Sequence, residues 1–367
     1  MDIKDEIERL RRRPFIKAAE VGSIPCQETS DPKRLCTSPI VSVHVVTYNQ
    51  EGYICQTLDS ILQQTTDFEY EIVIGEDASS DKTREICFEY QRRFPDKIRV
   101  LWSSENTFYN DGNTRRVAAR CRGEFIAFCE GDDYWTDVKK LQKQVDVMRR
   151  NPSVSLCFTG GQRLLEASGK LLSCETKGKY SCGLTRGAEF FDYYVDNPSF
   201  WVFTPGIMCR TQALAAFDQT DVGQEVSKYA THTSDLILVL SLCLVGDVYG
   251  IPDPMVVYRQ GVGISCVTPT SISGINGVVS RYWMARLAKR EVIASKLLER
   301  IFRRYLRRAP LLPSDKRCEL VKWICGQDLF ASHITKVDGF ILLLLGVRFI
   351  PSWVWGMFLK IKRCICS

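Results

Sequence analysis

The sequence predicts an α/β protein with a Rossmann-like, mostly parallel mixed sheet flanked by helices, followed by a helical, partly apolar C-terminal extension. Runs rich in β-branched residues alternate with helical patterns from residue 40 to 150, as in parallel sheets covered on both faces. Several of these runs end in polar or acidic residues. Among the 367 residues, 45% are hydrophobic and 25% charged, which is typical of a globular chain with one large or two ordinary domains.

The predicted elements follow the periodicity in order. In the first half they are strands at 40–46, 69–75, 98–102 and 125–128, with helices at 53–64 and 83–94. The pattern changes after residue 151. We expect strands at 154–159, 206–210, 247–251 and 255–259, helices at 211–217 and 234–244, and hairpin or irregular structure at 162–179. The turn-rich stretch 22–39 is predicted to be irregular.

The most informative segment is the apolar strand at 125–128, which ends in Glu130, Asp132 and Asp133. Adjacent carboxylates repel each other, and they become tolerable when a hard cation such as Mg²⁺ or Mn²⁺ lies between them. The alternative is a solvated acidic turn that caps the next helix. This segment alone does not decide between the two.

Composition narrows the class further. The sixteen cysteines are scattered, and neither they nor the three histidines have zinc-site spacing. The start of the chain is charged rather than apolar, so we expect no secretory signal, reduced thiols and a cytosolic compartment. The net charge of +6 is modest, and we expect no nucleic-acid partner.

Three polar strand ends are predicted to share one edge of the sheet: 47–49, 76–77 and 132–133. A polar turn with an aromatic side chain can hold a nucleobase, and Asp77 can accept a hydrogen bond from the base or ribose. The paired acids can hold the ribose and a metal on a diphosphate. The sequence lacks the glycine-rich patterns of Rossmann and P-loop nucleotide sites.

The segments V-S-V-H-V-V-T-Y-N, G-E-D-A-S-S-D-K-T and C-E-G-D-D-Y-W-T-D-x-x-K-L-Q-K-Q resemble the inverting family 2 glycosyltransferases, which have the GT-A fold. The resemblance covers about residues 39–265. It implies a nucleoside diphosphate sugar as donor and Asp133 as ligand of Mn²⁺ or Mg²⁺. The nucleotide-sugar contacts that it implies are Val46, Thr47, Tyr48, Glu51, Asp77, Arg115 and Asp132. Arg116 is the alternative to Arg115, because the preceding loop leaves the register open.

The acceptor side of the site is implied by two later segments. H-T-S-D-L-I-L-V-L resembles the family segment that supplies the general base, which assigns that role to Asp235. The alternative is an aspartate that caps a helix, and Glu130 or His232 would then be the next candidates for the base. V-V-Y-R-Q-G-V-G-I-S makes Arg259 a candidate for the diphosphate, although Gln260 and Gly261 follow where the family often has histidine.

The domains expected along the chain are an extension at 1–38, a catalytic domain at 39–265, a basic helical region at 266–338 and an apolar segment at 339–367. The catalytic domain divides into a nucleotide-binding half, 39–135, and an acceptor half, 136–265. One long amphipathic helix is expected at 283–308. Arg348 and Pro351 interrupt the apolar run at 339–359, so we expect it to lie at the membrane interface. A pair of buried helices is the alternative.

The prediction is therefore a metal-dependent glycosyltransferase, peripheral on the cytoplasmic face of the inner membrane, that builds a surface polysaccharide. Its donor is expected to be a UDP-sugar, and its acceptor a glycan or lipid-linked glycan. A nucleotidyltransferase is one alternative, but it should have a glycine-rich basic loop where this chain has T-Y-N-Q-E-G. A catalytically silent binding or scaffold protein is the other, and the intact acids argue against it.

Overall fold

The computed structural model describes residues 26–107, 112–173, 180–198, 200–226, 234–262, 280–297 and 300. The chain divides into two compact units. One unit is Pro14–Ser273, which carries the sheet. The other combines Met1–Arg13 with Gly274–Ser367.

The predicted nucleotide-binding half carries the parallel strands at the centre of the sheet. The strands up to residue 135 are β1 (Gln27–Thr29), β2 (Val41–Thr47), β3 (Tyr70–Glu76), β4 (Ile98–Trp102), β5 (Phe125–Phe128) and β6 (Tyr134–Trp135). Its helices are α1 (Ile54–Leu62), α2 (Thr83–Arg93) and α3 (Gly112–Ala118). β4, β3, β2 and β5 lie side by side in that order and are mutually parallel, so their carboxyl ends meet at one edge.

The acceptor half extends the same sheet beyond β5. Its strands are β7 (Val154–Leu165), β8 (Lys170–Ser173), β9 (Gly183–Thr185), β10 (Ile207–Arg210) and β11 (Asp247–Gln260). Its helices are α4 (Lys140–Arg150), α5 (Gly187–Asp196), α6 (Thr211–Asp218), α7 (Asp221–Val226) and α8 (Ser234–Val245). β10 runs antiparallel between β5 and β7, so β7 and its parallel neighbour β11 point in the same direction as β5.

One core joins the two halves. Every residue of β3 and β5 is buried, as expected for strands covered on both faces. Helix α1 buries Ile54, Leu58 and Ile61 against this sheet, four and three residues apart on one face. Met208 of β10 and Met255 of β11 belong to the same cluster, so the halves fold as one body.

The expectation of irregular structure before residue 39 is wrong at β1. This short strand pairs antiparallel with β4 and adds an edge to the sheet. The Glu28 carboxylate accepts hydrogen bonds from Arg99 Nε at 2.9 Å and Nη2 at 3.1 Å. Arg99 also lies 3.2 Å from the fully buried Glu71, so β1 is held by an ion-pair network that periodicity does not report.

Two other expectations are corrected. The strands expected at 247–251 and 255–259 are one strand, β11, with register irregularities around Pro254. In the second unit, helices at 280–287 and 291–297 replace the start of the single helix expected at 283–308. Lys289 has a φ of 58°, a left-handed conformation that ends the first helix. Residues 301–308 and the predicted membrane segment at 339–363 lie outside the described residues.

Among the helices described, none combines the length and the apolar character that crossing a membrane would require.

Candidate functional site

The ends of β2, β3 and β5 meet as the sequence predicts. The Asp77 amide donates to Thr47 O at 3.1 Å, which joins the ends of β3 and β2. On the other side of β2, the Gly131 amide donates to Val46 O at 2.9 Å. The main chain around Val46 and Thr47 therefore lies between the two acidic segments.

The turn after β2 is held by the turn after β3. Asn49, with a φ of 51°, accepts a hydrogen bond from the Ser80 amide at 2.8 Å. The exposed Glu51 accepts one from the Lys82 amide at 2.9 Å. Ala78 has a φ of 62°, a strained conformation for alanine, directly after Asp77. These contacts fix the position of the half-buried Tyr48 and give Glu51 a role in shaping the turn.

Asp77 is buried and already partnered. Its carboxylate accepts hydrogen bonds from the Thr107 amide at 3.0 Å and the Thr107 hydroxyl at 2.8 Å. Arg116 Nη2 lies 3.7 Å from Asp77 Oδ1 and donates to Glu76 O at 2.7 Å. Burial raises the pKa of Asp77, an effect that Thr107 and Arg116 oppose. Sequence reasoning missed Thr107.

The structure distinguishes Arg115 from Arg116. Arg116 is 3% exposed and belongs to the buried network around Asp77, and its Nη1 atom has no hydrogen-bond partner. Arg115 is half-buried, and burial raises the pKa of Asp218, an effect that the charge of Arg115 opposes. Of the two alternatives, Arg116 is therefore the arginine next to the predicted base-binding aspartate.

The acidic segment packs tightly against β2 and α1. The Thr57 hydroxyl lies 2.9 Å from Gly131 O and 2.7 Å from Asp133 O, so it can bridge both carbonyls. A Cβ atom at Gly131 would lie 2.4 Å from Gln50 Oε1 and 2.7 Å from Thr47 Oγ1. Only glycine fits there, because any side chain would force the segment away from β2.

The two adjacent aspartates differ in accessibility. Asp133 is 2% exposed, and its Oδ1 atom accepts a hydrogen bond from the Arg259 amide at 2.8 Å. Asp132 is half-buried and hydrogen-bonded to Gln50. Asp132 therefore offers the more accessible carboxylate, while Asp133 links the acidic segment to β11.

Glu130 completes a cluster of three acids. Burial raises its pKa to about 8, and the charge of Asp132 adds to this effect. Burial likewise raises the pKa values of Asp132 and Asp133. Glu130 Oε2 is buried without a hydrogen-bond partner. Three mutually repelling carboxylates with an unpartnered oxygen fit a hard divalent cation by their chemistry. The residues that the structure describes nevertheless include no group of three or more side chains arranged as a complete metal site.

Asp235 lies near this cluster, in the first turn of α8. Its Oδ1 atom accepts a hydrogen bond from the Leu236 amide at 2.7 Å. Its charge contributes to the raised pKa values of Glu130 and Tyr258. The structure thus brings Asp235 to the predicted site and leaves both readings open, a helix-terminal aspartate and a general base. His232, the other candidate, lies outside the described residues.

The Arg259 guanidinium is enclosed by side chains from both halves. It lies between the rings of Tyr53 and Tyr134, 5.0 and 5.1 Å from their centroids. Nη1 donates to Glu166 at 2.9 Å, and Nη2 donates to Gln56. Arg259 is 8% exposed, and its Nε atom is buried without a partner. It therefore connects the halves in this structure, with only part of its side chain available to a diphosphate.

Tyr258 is a second residue that sequence reasoning missed. Burial raises its pKa, and the charges of Asp133, Asp132, Asp235 and Glu130 raise it further. Its ring lies 5.7 Å from that of Phe203. The available signal was its position beside Arg259 in the segment V-V-Y-R. The raised pKa keeps the phenol of Tyr258 protonated near the acids.

Comparisons with known proteins agree with this geometry. Residues 42–190 match the family model described as Glycosyl transferase family 2. The uncharacterized protein Rv1520 of Mycobacterium tuberculosis is 42% identical over 118 residues, 32% of this chain and 34% of that protein. The putative teichuronic acid biosynthesis glycosyltransferase TuaG of Bacillus subtilis is 34% identical over 122 residues, 33% of this chain and 46% of TuaG. The chain thus matches about a third to a half of the length of these relatives.

A solved structure extends the likeness to the fold. The crystal structure of residues 1–349 of S. aureus TarS in complex with UDP-GlcNAc superposes with a TM-score of 0.52 and 16% identity. The match covers 83% of this chain and 88% of the TarS chain. At this level of identity the likeness concerns the fold, and it confirms the predicted GT-A architecture.

Proposed function

We propose that this chain, whose residues 42–190 match the family 2 glycosyltransferase model, transfers a sugar from a nucleoside diphosphate sugar to a hydroxyl group of a glycan or lipid-linked acceptor, with inversion. The observation that carries the proposal is the meeting of the β2, β3 and β5 ends with Asp235 beside one acidic cluster. The TarS structure contains UDP-GlcNAc, so we propose a UDP-sugar as donor.

The nucleotide would bind at the edge formed by β2 and β3. Tyr48 would stack on the base, with the main chain of Val46 and Thr47 beside it. Asp77 would accept a hydrogen bond from the base, in competition with its present bonds to Thr107. Burial raises the pKa of Asp77, and Arg116 is the buried cation whose charge opposes that rise.

The ribose and diphosphate would lie over the acidic segment, where Asp132 is the accessible carboxylate. Asp132, Asp133 and oxygens of the donor diphosphate would hold a divalent cation. When bound, this cation would neutralise negative charge on the departing nucleoside diphosphate. Asp133 also joins the acidic segment to β11, because its carboxylate accepts a hydrogen bond from the Arg259 amide.

We propose Asp235 as the general base. A carboxylate at this position can take the proton from an acceptor hydroxyl as that oxygen attacks the anomeric carbon. The bond to the leaving diphosphate breaks as the new glycosidic bond forms, so a single displacement inverts the anomeric configuration. The Leu236 amide would hold the Asp235 carboxylate in place during the proton transfer.

The product would be part of a cell-surface polysaccharide, as the name of TuaG suggests for that relative. On sequence grounds we also propose that the basic and apolar C-terminal residues bind the cytoplasmic face of the inner membrane. Deleting residues 339–363 should then move the protein from the membrane pellet to the soluble fraction. A full-length protein that does not bind anionic liposomes would contradict the proposed membrane association.

The test of the function is a calorimetric titration with UDP, with and without Mn²⁺, together with an assay for UDP release from UDP-GlcNAc. We expect Mn²⁺ to strengthen UDP binding and Asp133→Asn to abolish most of that gain. Asp137→Asn is the matched control, because Asp137 pairs with Lys143 outside the acidic cluster. Binding without turnover would favour a silent relative. Pyrophosphate release from UTP and a sugar phosphate would favour a nucleotidyltransferase.

A further inference from the structure

Trp201 is unusual among the aromatic residues of this protein. It is 39% exposed, and among the residues whose side chains the structure describes it is the one exposed aromatic. A single exposed apolar side chain needs no explanation by itself. Trp201 lies on the segment 200–206 between α5 and β10, and this position suggests a role in binding.

This segment borders the acidic cluster. The Thr204 side chain hydrogen-bonds to Glu130, and the Phe203 ring packs 5.7 Å from Tyr258. Trp201 is three residues before Thr204, so their Cα atoms are separated by at most about 11 Å. The indole and the Thr204 contact to Glu130 therefore belong to one short segment, which an oligosaccharide of a few rings can span.

The segment is also anchored on both sides of Trp201. Before it, Phe200 packs edge-on against the rings of Phe158, Phe190 and Tyr194. After it, Pro205 O accepts a hydrogen bond from Trp135 Nε1 at 2.9 Å. An exposed indole on a fixed segment loses little conformational entropy when a ligand stacks on it.

We propose that Trp201 forms an acceptor subsite, on which a pyranose ring of the acceptor glycan stacks through its C–H face. This inference rests on the proposed function and names where its acceptor binds. The acidic segment is hydrogen-bonded to the end of β2, next to the proposed nucleotide contacts, and Asp235 of the acceptor half lies near Glu130. A sugar held on the indole would present a neighbouring hydroxyl towards Asp235.

The chemistry favours gluco-configured sugars. Their hydroxyl groups are equatorial, so both faces of the ring present axial C–H bonds to an aromatic surface. An axial hydroxyl, as in mannose, interrupts one of those faces. We therefore expect chitotriose or cellotriose to bind more tightly than mannotriose.

The test is saturation-transfer NMR on the full-length protein with chitotriose, cellotriose and mannotriose, and a parallel titration with UDP. We expect Trp201→Ala to weaken binding of the preferred trisaccharide about tenfold, about 1.4 kcal/mol. Trp201→Phe should retain most of the affinity, because it keeps an aromatic face. Leu184→Ala is the control, since Leu184 is 54% exposed on β9, beside the opposite end of β11.

UDP affinity separates the two proposals. If UDP binds to all variants equally and Trp201→Ala alone loses the trisaccharide, the subsite is supported. If UDP binds but neither chitotriose nor cellotriose binds the wild type, or Trp201→Ala binds them as the wild type does, the subsite is overturned and the proposed function stands. A wild type that fails to bind UDP overturns the proposed function, and the subsite with it.

Discussion

The two halves of this sheet differ in how directly the chain order sets the spatial order. In the nucleotide-binding half, β2, β3 and β4 follow one another through helical crossovers and lie next to one another. In the acceptor half, β10 enters between β5 and β7, and β11 pairs with both β7 and β6. The first half therefore presents its site residues on consecutive turns, whereas the second brings them from distant segments.

The difference has a functional consequence. Consecutive turns that are hydrogen-bonded to each other form a preorganised surface, which suits a nucleotide common to many donors. Residues from distant strands can change independently, which suits a varied acceptor. We therefore expect substitutions in the first half to act on nucleotide affinity and stability, and substitutions in the second half to act on turnover.

The largest expected effect is at Asp235. Asp235→Asn keeps the size of the side chain and its bond from the Leu236 amide but removes the proton acceptor. Turnover should fall about 10²–10⁴-fold, with UDP affinity unchanged, because Tyr48 and Asp77, the proposed contacts of the base, lie in the other half. Steady-state kinetics and UDP calorimetry on the same variant measure both quantities.

A matched variant tests the alternative at this helix. Asp221→Asn makes the same change in the first turn of α7, at an exposed acid of the same half. If Asp235 only caps its helix, both variants should lose about 1 kcal/mol of stability, which is measured as a slightly lower melting temperature. Turnover of the folded protein should then be unchanged. That outcome would move the base to Glu130 or His232.

The next effect concerns Arg116. Arg116→Gln leaves the buried carboxylate of Asp77 without its cation, so we expect a loss of about 3 kcal/mol in unfolding free energy. UDP affinity should also fall, because Asp77 would be held in its neutral form. Urea denaturation and calorimetry measure the two effects. Arg115→Gln is the comparison, and a larger loss of UDP affinity there would restore the first alternative from the sequence.

The same contrast explains what could be predicted. The convergence of Asp77 and Asp132 followed from apolar runs ending in acids, because parallel strands share an edge. The bond from the Arg259 amide to Asp133 could not be foreseen, since it depends on β11 pairing with β6. Periodicity predicts elements, but it does not predict which distant strands pair. Periodicity also does not predict β1, because three residues are too few to show an alternating pattern.

Gly131 tests the close approach of the acidic segment to the end of β2 and the turn that follows it. In Gly131→Ala the new Cβ atom would lie 2.7 Å from Thr47 Oγ1 and 2.8 Å from Thr47 Cβ. Such overpacking should cost about 1–3 kcal/mol of stability and should weaken UDP binding by displacing Asp132. Gly52→Ala is the control, because a Cβ there meets nothing within 4 Å. Equal thermal stability of the two variants would contradict the tight packing.

The smallest expected effect arises where the halves join, at Lys140. Its ammonium group is fully buried, donates to Gln144 at 2.8 Å and lies 4.1 Å from the centroid of the Trp135 ring. Burial lowers its pKa to about 7. An unfolded lysine keeps its proton up to about pH 10, so the unfolded chain binds more protons between these values. The contribution of Lys140 to stability should therefore rise with pH, by roughly 1.5 kcal/mol from pH 7 to 8.5. Glu130, whose pKa burial raises to about 8, contributes in the opposite direction, so the effect of Lys140 is measured as the difference between the wild type and a Lys140 variant.

Lys140→Met removes this titration while filling most of the same volume, so the rise contributed by Lys140 should be absent from its pH dependence over that interval. Burial raises the pKa values of Cys129 and Cys157 in the folded state, but the unfolded thiols ionise near pH 8.5, which is why the interval ends there. Lys143→Met is the matched control three residues later on α4. Its pKa is raised by Asp137, so both the folded and the unfolded chain keep that proton, and the slope should stay that of the wild type. Urea denaturation at several pH values measures the slopes, and a Lys140→Met variant with the same slope as the wild type from pH 7 to 8.5 would mean that the buried ammonium keeps its proton.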